Sequence, residues 1–472
     1  MNNLEGKLIT STSGTKYLLT DIVDQGAQGV IFNEASNKYV IKFYKNGSPF
    51  HNKNKLKKLN WLLQQNYPDQ FIKPLDIFEQ PHIGYAMKNV SGHISLNKLL
   101  VPARKMNFSE WYNDYSGGLR RRLFLGYKIA MQFSLLHETS RAYCDISGSN
   151  ILVHEDKSVA SVCMIDIDNI YIPGGDSGNV LGTSRYMAPE IMKKKMLPDI
   201  FTDAYSLAVI LFELLRVGHP YIGDMVEDGT PEQQTQAYLG MYPYVDHKDT
   251  DINRSTQMLP ADVVFTDNLK QLFYRTFVDG KENRVDRIRA REFALACLEA
   301  SNKVMKCKKC GNWHYAFANS KKEYICPWCD ARNEKPLYLS FKDRYYIRKH
   351  NNRIVLEEKV VNSFVLRDEK NDITNNYVSN FYIKRDKFSK PIDQYFIIRK
   401  AKNGKFYLIN SSNNELYYQK VEQEKATRLS VGDDPVEIGY KDKIFFANPR
   451  NMKLDDLAKD YQGVLFRYAT VL

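Results

Sequence analysis

The stretch YCDISGSN, residues 143–150, decides how the rest of this chain is interpreted. Asp145 and Asn150 lie five positions apart in it, and the apolar run ILV at 151–153 follows at once. The spacing alone is weak support for a functional loop, because Asp and Asn are common residues of ordinary turns. A plain turn between two elements is therefore the competing interpretation. The segments on either side of the loop decide between the two.

A glycine-rich segment lies near the start of the chain. Residues 20–43 predict two or three strands around the sequence DQGAQGVIF. Gly26 and Gly29 in it would allow the backbone to approach phosphate groups closely, because a Cβ atom would block that approach. The β-branched run VIKF follows and carries Lys42. An ordinary hairpin with a solvated edge lysine is the alternative, but a lysine behind a glycine-rich loop favours phosphate binding.

The next segment, residues 52–65, predicts a helix with leucines at helical spacing. No glutamate occurs in residues 43–71. The predicted helix is instead rich in lysine, with Lys53, Lys55, Lys57 and Lys58. The segments 72–75 and 82–87 then predict the last two strands of a small sheet, and a hinge near residues 87–91 ends this first part of the chain.

The region after the hinge contains further motifs. Residues 119–140 predict a long amphipathic helix that leads into the YCDISGSN loop. The segment VCMIDIDN, residues 162–169, carries Asp166. The segment GTSRYMAPE, residues 182–190, is the most specific motif of this region, and the sequence TDAYSLA at 202–208 opens a helix that is apolar on all sides.

With these motifs in this order, residues of about 18 to 300 resemble a eukaryotic-like Ser/Thr protein kinase. The YCDISGSN loop resembles the catalytic loop, the segment around Asp166 the metal-binding DFG segment, and residues 182–190 the end of the activation segment. The variant forms YxDxSxxN and IDxDN are most similar to divergent bacterial kinases. The resemblance implies an α+β, bilobal fold, with a small lobe at residues 1–90 and a large lobe at 91–300.

The resemblance also implies ATP and Mg²⁺ as cofactors. Lys42 would grip the phosphates, and Asp145 would orient and deprotonate the substrate hydroxyl. Asn150 and Asp166 would hold Mg²⁺. Three residues of the glycine-rich segment would contact the nucleotide: Gly26, Gly29 and Ile31.

Contacts around the activation segment are implied by the same resemblance. Thr183 favours Ser/Thr over Tyr as the acceptor. Arg284 lies where the family places the arginine that pairs with the glutamate of the APE motif, which is Glu190 here. The apolar helix opening at residue 202 carries Asp203 at the position of the aspartate that hydrogen-bonds the catalytic-loop backbone.

Two departures from the family pattern weigh against catalysis. Kinases have a glutamate on the helix equivalent to 52–65 that pairs with the strand lysine, and an acid outside the helix, such as Asp166, would have to replace it. Ser147 stands where Ser/Thr kinases have a lysine that touches the γ-phosphate. A pseudokinase scaffold that works through nucleotide binding and its C-terminal half is therefore the alternative. Retention of the residues for phosphate, proton and metal chemistry favours an active kinase.

Four of the seven cysteines form the pattern C-x₂-C-x₁₅-C-x₂-C: Cys307, Cys310, Cys326 and Cys329. This spacing predicts a tetrahedral Zn²⁺ site in a ribbon at residues 301–334. Two disulfides or a redox pair are the alternatives, and neither suits a reducing compartment. Because four thiolates leave no open coordination position, the zinc would be structural. His314 is interpreted as a surface residue rather than a fifth ligand.

Residues 335–472 carry recurring aromatic and β-branched runs that predict a small β-sandwich or barrel. The pair Asn403-Gly404 between two runs predicts a hairpin with a type I′ turn, and a short helical stretch is expected around residues 453–460. Residues 429–446 resemble the end of a forkhead-associated domain, but no phosphothreonine-binding set accompanies them. A packing or partner-binding module is the favoured interpretation.

Composition limits the remaining functional classes. The net charge of +12 comes from Lys and Arg that are spread along the chain among acids, which is typical of a solvated surface rather than a nucleic-acid interface. No window approaches the roughly 20 apolar residues of a membrane span, and the first residues show no secretory signal. We therefore expect a cytoplasmic protein with a protein substrate and a regulatory partner bound through residues 335–472, and neither nucleic-acid nor membrane binding. No feature of the sequence indicates an oligomeric state.

Overall fold

The computed structural model describes residues 4–26, 29–45, 53–171, 182–317, 324–348, 354–367, 377–383, 394–449 and 464–472. Its contacts group the chain into two compact units. The first unit comprises Met1–Tyr112 and Phe124–Ala296, and the second comprises Asn113–Leu123 and Cys297–Leu472. The division into four domains expected from the sequence, at residues 1–90, 91–300, 301–334 and 335–472, stays a prediction.

The first unit begins with an antiparallel sheet in the order β1-β2-β3-β4-β6-β5. The strands are β1 Leu8–Thr10, β2 Lys16–Gln25, β3 Gly29–Glu34, β4 Tyr39–Tyr44, β5 Pro74–Phe78 and β6 Gly84–Lys88. Helix α1, Lys53–Gln64, connects β4 to β5 and packs through Leu59 and Leu62 on one face of the sheet. The strand period of two sends Ile41 and Phe43 into the core on the other face. Lys42 consequently points to the α1 side.

A three-stranded sheet in the order β7-β8-β9 supports the loops that follow. Its strands are β7 His93–Ser95, β8 Ile151–His154 and β9 Val162–Met164. Strand β8 begins directly after the YCDISGSN loop, and β9 ends just before Asp166. Pairing of Ile151 with Met164 therefore brings the two loops side by side.

One helix of the first unit, α5, is buried. The helices after α1 are α2 Asn97–Leu100, α3 Gly118–His137, α4 Pro189–Met192, α5 Ile200–Arg216, α6 Pro231–Tyr238, α7 Ala261–Val264, α8 Asp267–Tyr274, α9 Gly280–Glu282 and α10 Ala290–Ser301. Helices α3 and α10 each have residues in both units. Helix α5 is the buried one, as its all-round apolar sequence predicts, and Asp199 caps its first turn in a capping box with Thr202. Among the described residues, no helix combines the length and the apolar character that crossing a membrane requires.

The glutamate of the APE segment pairs with Arg287, and the prediction of Arg284 is wrong. Both terminal nitrogens of Arg287 donate to the two carboxylate oxygens of Glu190, at 2.6 and 2.9 Å. Arg284 instead contacts Asp199, the cap of α5. The two arginines are three residues apart around a single 3₁₀ turn, Arg284–Asp286, and the spacing alone could not tell which of them faces inward.

The second unit contains two short hairpins and a two-sheet sandwich. The hairpins are β10 Val304–Lys306 with β11 Trp313–Tyr315, and β12 Tyr324–Ile325 with β13 Arg332–Asn333. One sandwich sheet has the order β15-β14-β23-β22-β19-β20 and the other β16-β17-β18-β21. These strands are β14 Tyr338–Arg348, β15 Ile354–Val365, β16 Tyr377–Ser379, β17 Gln394–Lys400, β18 Phe406–Asn410, β19 Tyr417–Gln419, β20 Thr427–Arg428, β21 Val436–Ile438, β22 Lys443–Phe445 and β23 Val464–Val471.

Apolar side chains from both sheets form one core, among them Leu339, Phe341, Phe364, Phe396, Ile398, Leu408, Ile438, Ile444 and Val471. The expected all-β region is thereby confirmed as a sandwich. Residues 113–123 belong to the same unit: Arg120 donates to the carbonyl oxygen of Ser301, and its guanidinium carbon lies 6.0 Å from the ring centroid of Trp313.

The Asn403-Gly404 hairpin is present, but its turn is not type I′. Strands β17 and β18 pair on either side of it, the Gly404 N–H donates to the carbonyl of Ala401, and only Gly404 of the pair has a positive φ, at +83°. A type I′ turn needs positive φ at both central residues. The turn is therefore a type I turn extended by one left-handed glycine. The helical stretch expected at residues 453–460 lies outside the described residues.

Replacing Arg287 by methionine should lower the free energy of unfolding of the first unit by about 3 kcal/mol, because Glu190 would be left without its buried partner. The Arg287 side chain is only 1% exposed, whereas Arg284 and Asp199 are 33% and 29% exposed. Arg284→Met is therefore the matched control and should cost less than about 1 kcal/mol. Urea unfolding followed by intrinsic fluorescence measures both, and equal losses for the two variants would contradict the assignment.

Candidate active site

The YCDISGSN loop is held by one carboxylate beneath it. Asp203, near the start of α5, accepts hydrogen bonds from the backbone N–H groups of Tyr143 at 2.5 Å and Cys144 at 2.9 Å. His137 Nε2 lies 3.1 Å from the same carboxylate. Cys144 has a left-handed backbone, with φ of +75°, which a non-glycine residue adopts only when its surroundings hold it there. The sequence-based expectation for Asp203 agrees with this contact.

Asp145 is surrounded by hydrogen-bond donors. The Asn150 side-chain amide donates to Asp145 Oδ2 at 2.9 Å, and the backbone N–H and hydroxyl of Thr183 both donate to Oδ1 at 3.0 Å. Burial raises the pKa of the Asp145 carboxyl, while these hydrogen bonds act in the opposite direction. A carboxylate held in one orientation with a raised pKa is suited to accept a proton from a hydroxyl.

Lys42 and Asp166 meet beside this loop. Lys42 Nζ lies 2.8 Å from Asp166 Oδ1, so an acid outside the helix does pair with the strand lysine. Ile31 is the cross-strand neighbour of Lys42 on β3. Asp166 has a left-handed backbone, with φ of +56°, and the Ile165 N–H donates to the Asn150 carbonyl at 3.0 Å. Asp166 also raises the pKa of Asp145 electrostatically.

A second acid, Asp168, lies beside Lys42, and the sequence did not lead us to predict a role for it. Asp168 has no exposed side-chain surface, and its Oδ2 lies 2.8 Å from Lys55 Nζ, while its Oδ1 lies 3.8 Å from Lys42 Nζ. The hydroxyl of Tyr44 also donates to Oδ2. Burial opposes ionisation, but the two ammonium groups outweigh it and hold the pKa of Asp168 well below its ordinary value. The signal was available: the helix lacks its acid and gains lysines, and the DFG-like segment gains an acid.

The glycine-rich segment is described on both sides of residues 27–28, which lie outside the described residues. The Gly26 N–H donates to the Gly29 carbonyl at 3.1 Å. A Cβ on Gly29 would lie 2.2 Å from the carbonyl oxygen of Phe43, so this glycine is required by the close approach of β3 to β4. A Cβ on Gly26 would meet nothing within 4 Å.

Ser147 contributes no positive charge to the loop. Its hydroxyl is buried and lies 2.9 Å from the Ser149 hydroxyl. The structure thus brings together Lys42, Asp145, Asn150 and Asp166, and adds Asp168 and Lys55 to them. Two carboxylates and an amide beside a buried ammonium can bind a divalent cation with its phosphate ligand and accept a proton from a nearby hydroxyl.

The four cysteines lie in a separate cluster, and their Sγ atoms are all within 4.8 Å of one another. Two similar turns present them: the Gly311 N–H donates to the Cys307 carbonyl at 3.0 Å, and the Asp330 N–H donates to the Cys326 carbonyl at 2.9 Å. Gly311 and Asp330 both have positive φ, at +77° and +56°. Burial opposes ionisation of Cys307, but backbone N–H groups beside its sulfur lower its pKa to about 6.

His314 is buried, and the expectation of a surface histidine is wrong. It is 2% exposed, its Nδ1 lies 3.1 Å from the Tyr315 carbonyl oxygen, and its Nε2 lies 3.4 Å from Asn333 Nδ2. The same amide of Asn333 donates to Cys307 Sγ at 3.6 Å. His314 therefore packs behind the cysteines, a placement that the polar character of histidine did not indicate.

Comparison with known proteins identifies the fold that holds the first cluster. The protein kinase domain family matches residues 20–297, more than half of the chain. Serine/threonine-protein kinase nekl-2 of Caenorhabditis elegans is 25% identical over 227 residues, which cover 44% of this chain and 59% of that protein. Calcium-dependent protein kinase 6 of Plasmodium berghei is 29% identical over 174 residues, which cover 36% of this chain and 11% of that protein.

A search of solved structures finds the autoinhibited serine kinase domain of the giant muscle protein titin. The match has a TM-score of 0.44 and 17% sequence identity, and covers 59% of this chain and 78% of that one. The chain spans 11% of the length of the Plasmodium protein and 59% of the length of the nematode protein. On the match over residues 20–297, the chain belongs to the protein kinase family.

Proposed function

We propose that this protein is a Mg²⁺- and ATP-dependent kinase that phosphorylates Ser or Thr hydroxyls of a protein substrate. The observation that carries the proposal is the joint placement of Asp145, Asn150 and Asp166 beside the buried ammonium of Lys42. Phosphoryl transfer needs little covalent work from the protein, because its catalysis is mostly positioning and charge neutralisation. These four side chains provide both.

Each residue has a distinct role in this proposal. Asp145, fixed by Asn150 and Thr183, orients the acceptor hydroxyl and takes its proton. Asp166 and the amide oxygen of Asn150 offer the hard oxygen ligands that Mg²⁺ prefers. Lys42 neutralises phosphate charge. Bound Mg-ATP would supply the transferable phosphoryl group and a cation that neutralises phosphate charge.

A pseudokinase scaffold is the second candidate, and two observations favour it: helix α1 presents no acid to Lys42, and Ser147 leaves its position uncharged. The absence of an acid on α1 is weak support for a scaffold, because Asp166 and Asp168 supply carboxylates to Lys42 from another element. The phosphotransfer assay below separates the two candidates.

We also propose that the four cysteines bind one structural Zn²⁺. The sulfur–sulfur distances are 3.8 Å for Cys307 and Cys329 and 3.6 Å for Cys310 and Cys326. A tetrahedral site with Zn–S bonds of about 2.3 Å has sulfur–sulfur edges of about 3.8 Å, whereas a disulfide bond is about 2.05 Å long. The donor set therefore fits zinc and does not fit disulfides.

The sandwich is proposed as the module that recruits a protein partner or substrate. Among the described residues of 335–472, no group of three or more His, Cys, Asp or Glu side chains could hold a metal ion. The outer part of β15 exposes Leu356 and Val360 on the edge strand of its sheet, and such an edge offers unpaired backbone groups to another chain.

Asp145→Asn should abolish phosphoryl transfer, because an amide cannot accept the hydroxyl proton, while nucleotide binding persists. Transfer of labelled phosphate from ATP to a generic acceptor protein, with Mg²⁺ or Mn²⁺, measures the first property, and nucleotide titration by fluorescence measures the second. A wild-type protein that transfers nothing, or an Asp145→Asn variant as active as wild type, would overturn the enzyme proposal and leave the scaffold.

The pH dependence of transfer should reflect the environment of Asp145. Burial raises its pKa, and the base must be ionised, so the rate should fall on the acid side at a pH above the ordinary aspartate pKa of about 3.9. Thr183→Val removes one hydrogen bond that stabilises the carboxylate and should shift this fall to higher pH. An unchanged or lower midpoint in a profile of kcat/KM against pH would contradict the role of Asp145 as base.

Cys307→Ser should reduce bound zinc and lower the melting temperature, because metal binding contributes directly to the stability of such sites. Protein purified without chelator should contain about one zinc per chain, as measured by elemental analysis. Cys297→Ser is the matched control, since Cys297 is buried in α10 of the same unit but lies outside the cluster. Wild-type protein that contains no zinc would contradict the proposal of a zinc site.

A further inference from the structure

Asp168 and Lys55 belong to the site, but the catalytic roles proposed above include neither of them. The Asp168 carboxylate is completely buried, and Lys55 Nζ and the Tyr44 hydroxyl both contact Oδ2. Oδ1 receives no hydrogen bond from the described residues, although Lys42 Nζ lies 3.8 Å away. A buried carboxylate oxygen without a donor is costly. Oδ1 therefore retains the capacity to accept a hydrogen bond.

Asp166, the hydrogen-bond partner of Lys42 in this structure, also has a proposed role in metal binding. Lys42 Nζ donates to Asp166 Oδ1 at 2.8 Å, and Asp166 is the carboxylate proposed to bind Mg²⁺. When a divalent cation takes that carboxylate, its field opposes a nearby ammonium. Lys42 then needs another acceptor to stay oriented toward the phosphates.

We propose that Asp168 is the positioning residue for Lys42: it accepts the lysine ammonium on Oδ1 when Asp166 turns to Mg²⁺, while Lys55 holds Asp168 in place from helix α1. The inference rests on the proposed function. In other kinases, one glutamate on the helix equivalent to α1 holds the strand lysine. Here Asp168 would hold Lys42, and helix α1 would contribute the positively charged Lys55, which holds Asp168.

The surroundings of Asp168 suit a fixed anchor. Lys55 is 7% exposed, and its Nζ also lies 3.5 Å from the backbone carbonyl oxygen of Asp168. The Tyr44 ring lies between the lysines, with its centroid 4.7 Å from Lys55 Nζ and 5.6 Å from Lys42 Nζ. Since Oδ2 is occupied by Lys55 and Tyr44, only Oδ1 remains for Lys42. A movement of Lys42 Nζ by about 1 Å would bring it to hydrogen-bond distance.

The Mg²⁺ requirement of the phosphotransfer reaction tests this arrangement. In Asp168→Asn, Lys42 loses one nearby carboxylate and depends on its hydrogen bond to Asp166, so the ammonium competes with the metal for Asp166. At fixed ATP, the Mg²⁺ concentration for half-maximal rate should rise about tenfold, and kcat/KM should fall on the order of 10²-fold, as for a misplaced reacting group. Lys57→Met is the matched control, because Lys57 is an exposed lysine on the same helix, and it should change neither quantity.

Relocation of the acid provides the decisive comparison. Lys55→Glu alone places a second acid against Asp168 and should be nearly inactive. The double variant Lys55→Glu/Asp168→Asn moves the single acid from the loop to the helix and should recover at least about tenfold of the lost kcat/KM, since an acid again faces Lys42. Melting temperatures of all variants identify any that fail to fold.

Each outcome has a distinct meaning. An inactive wild-type protein defeats the proposed function itself. An active wild type whose Asp168→Asn variant keeps its Mg²⁺ requirement overturns the inference alone. A variant that melts earlier, with kcat/KM lowered but the Mg²⁺ requirement unchanged and no recovery in the double variant, would show a merely structural ion pair and would also overturn it.

Discussion

The burial of Lys42, which is only 3% exposed, sets the main constraint on the candidate site. The alternation of β4 turns Lys42 away from the core of Ile41 and Phe43 and into the space beneath α1. Removing an ammonium from water costs several kcal/mol unless carboxylates face it. Asp166 and Asp168 meet this need, and their positions depend on the β8–β9 hairpin, which also fixes Asn150.

Local sequence predicted those parts of the molecule in which neighbouring residues share one element. The strand that carries Lys42, the buried character of α5 and the two cysteine pairs could be inferred because their geometry follows from short spacings. The helices expected at 52–65 and 119–140 occur at Lys53–Gln64 and Gly118–His137 for the same reason.

The features that the sequence did not predict depend on contacts between residues that are distant in the chain. Lys55 and Asp168 are 113 residues apart, and each alone is unremarkable: a lysine on a helix and an aspartate in a turn. The choice of Arg287 over Arg284 depended on how one 3₁₀ turn rotates its side chains, and burial of His314 depended on Asn333 from another hairpin. The pairing of Lys55 with Asp168 could have been predicted by comparing the charges of the whole site with those of the family. When the helix lacks its acid, the buried lysine requires a carboxylate from another element.

The composition of the second unit has a consequence for synthesis on the ribosome. Residues 113–123 are grouped with 297–472, and the bond from Arg120 to Ser301 spans 181 positions. At 5–20 residues per second, roughly 10–40 s separate the emergence of these partners. During that interval, the buried Arg120 lacks its contacts with Ser301 and Trp313. Ser301 and Trp313 therefore complete the surroundings of a segment that is translated long before them, and this unit reaches its final packing only after residues 297–472 have been synthesised.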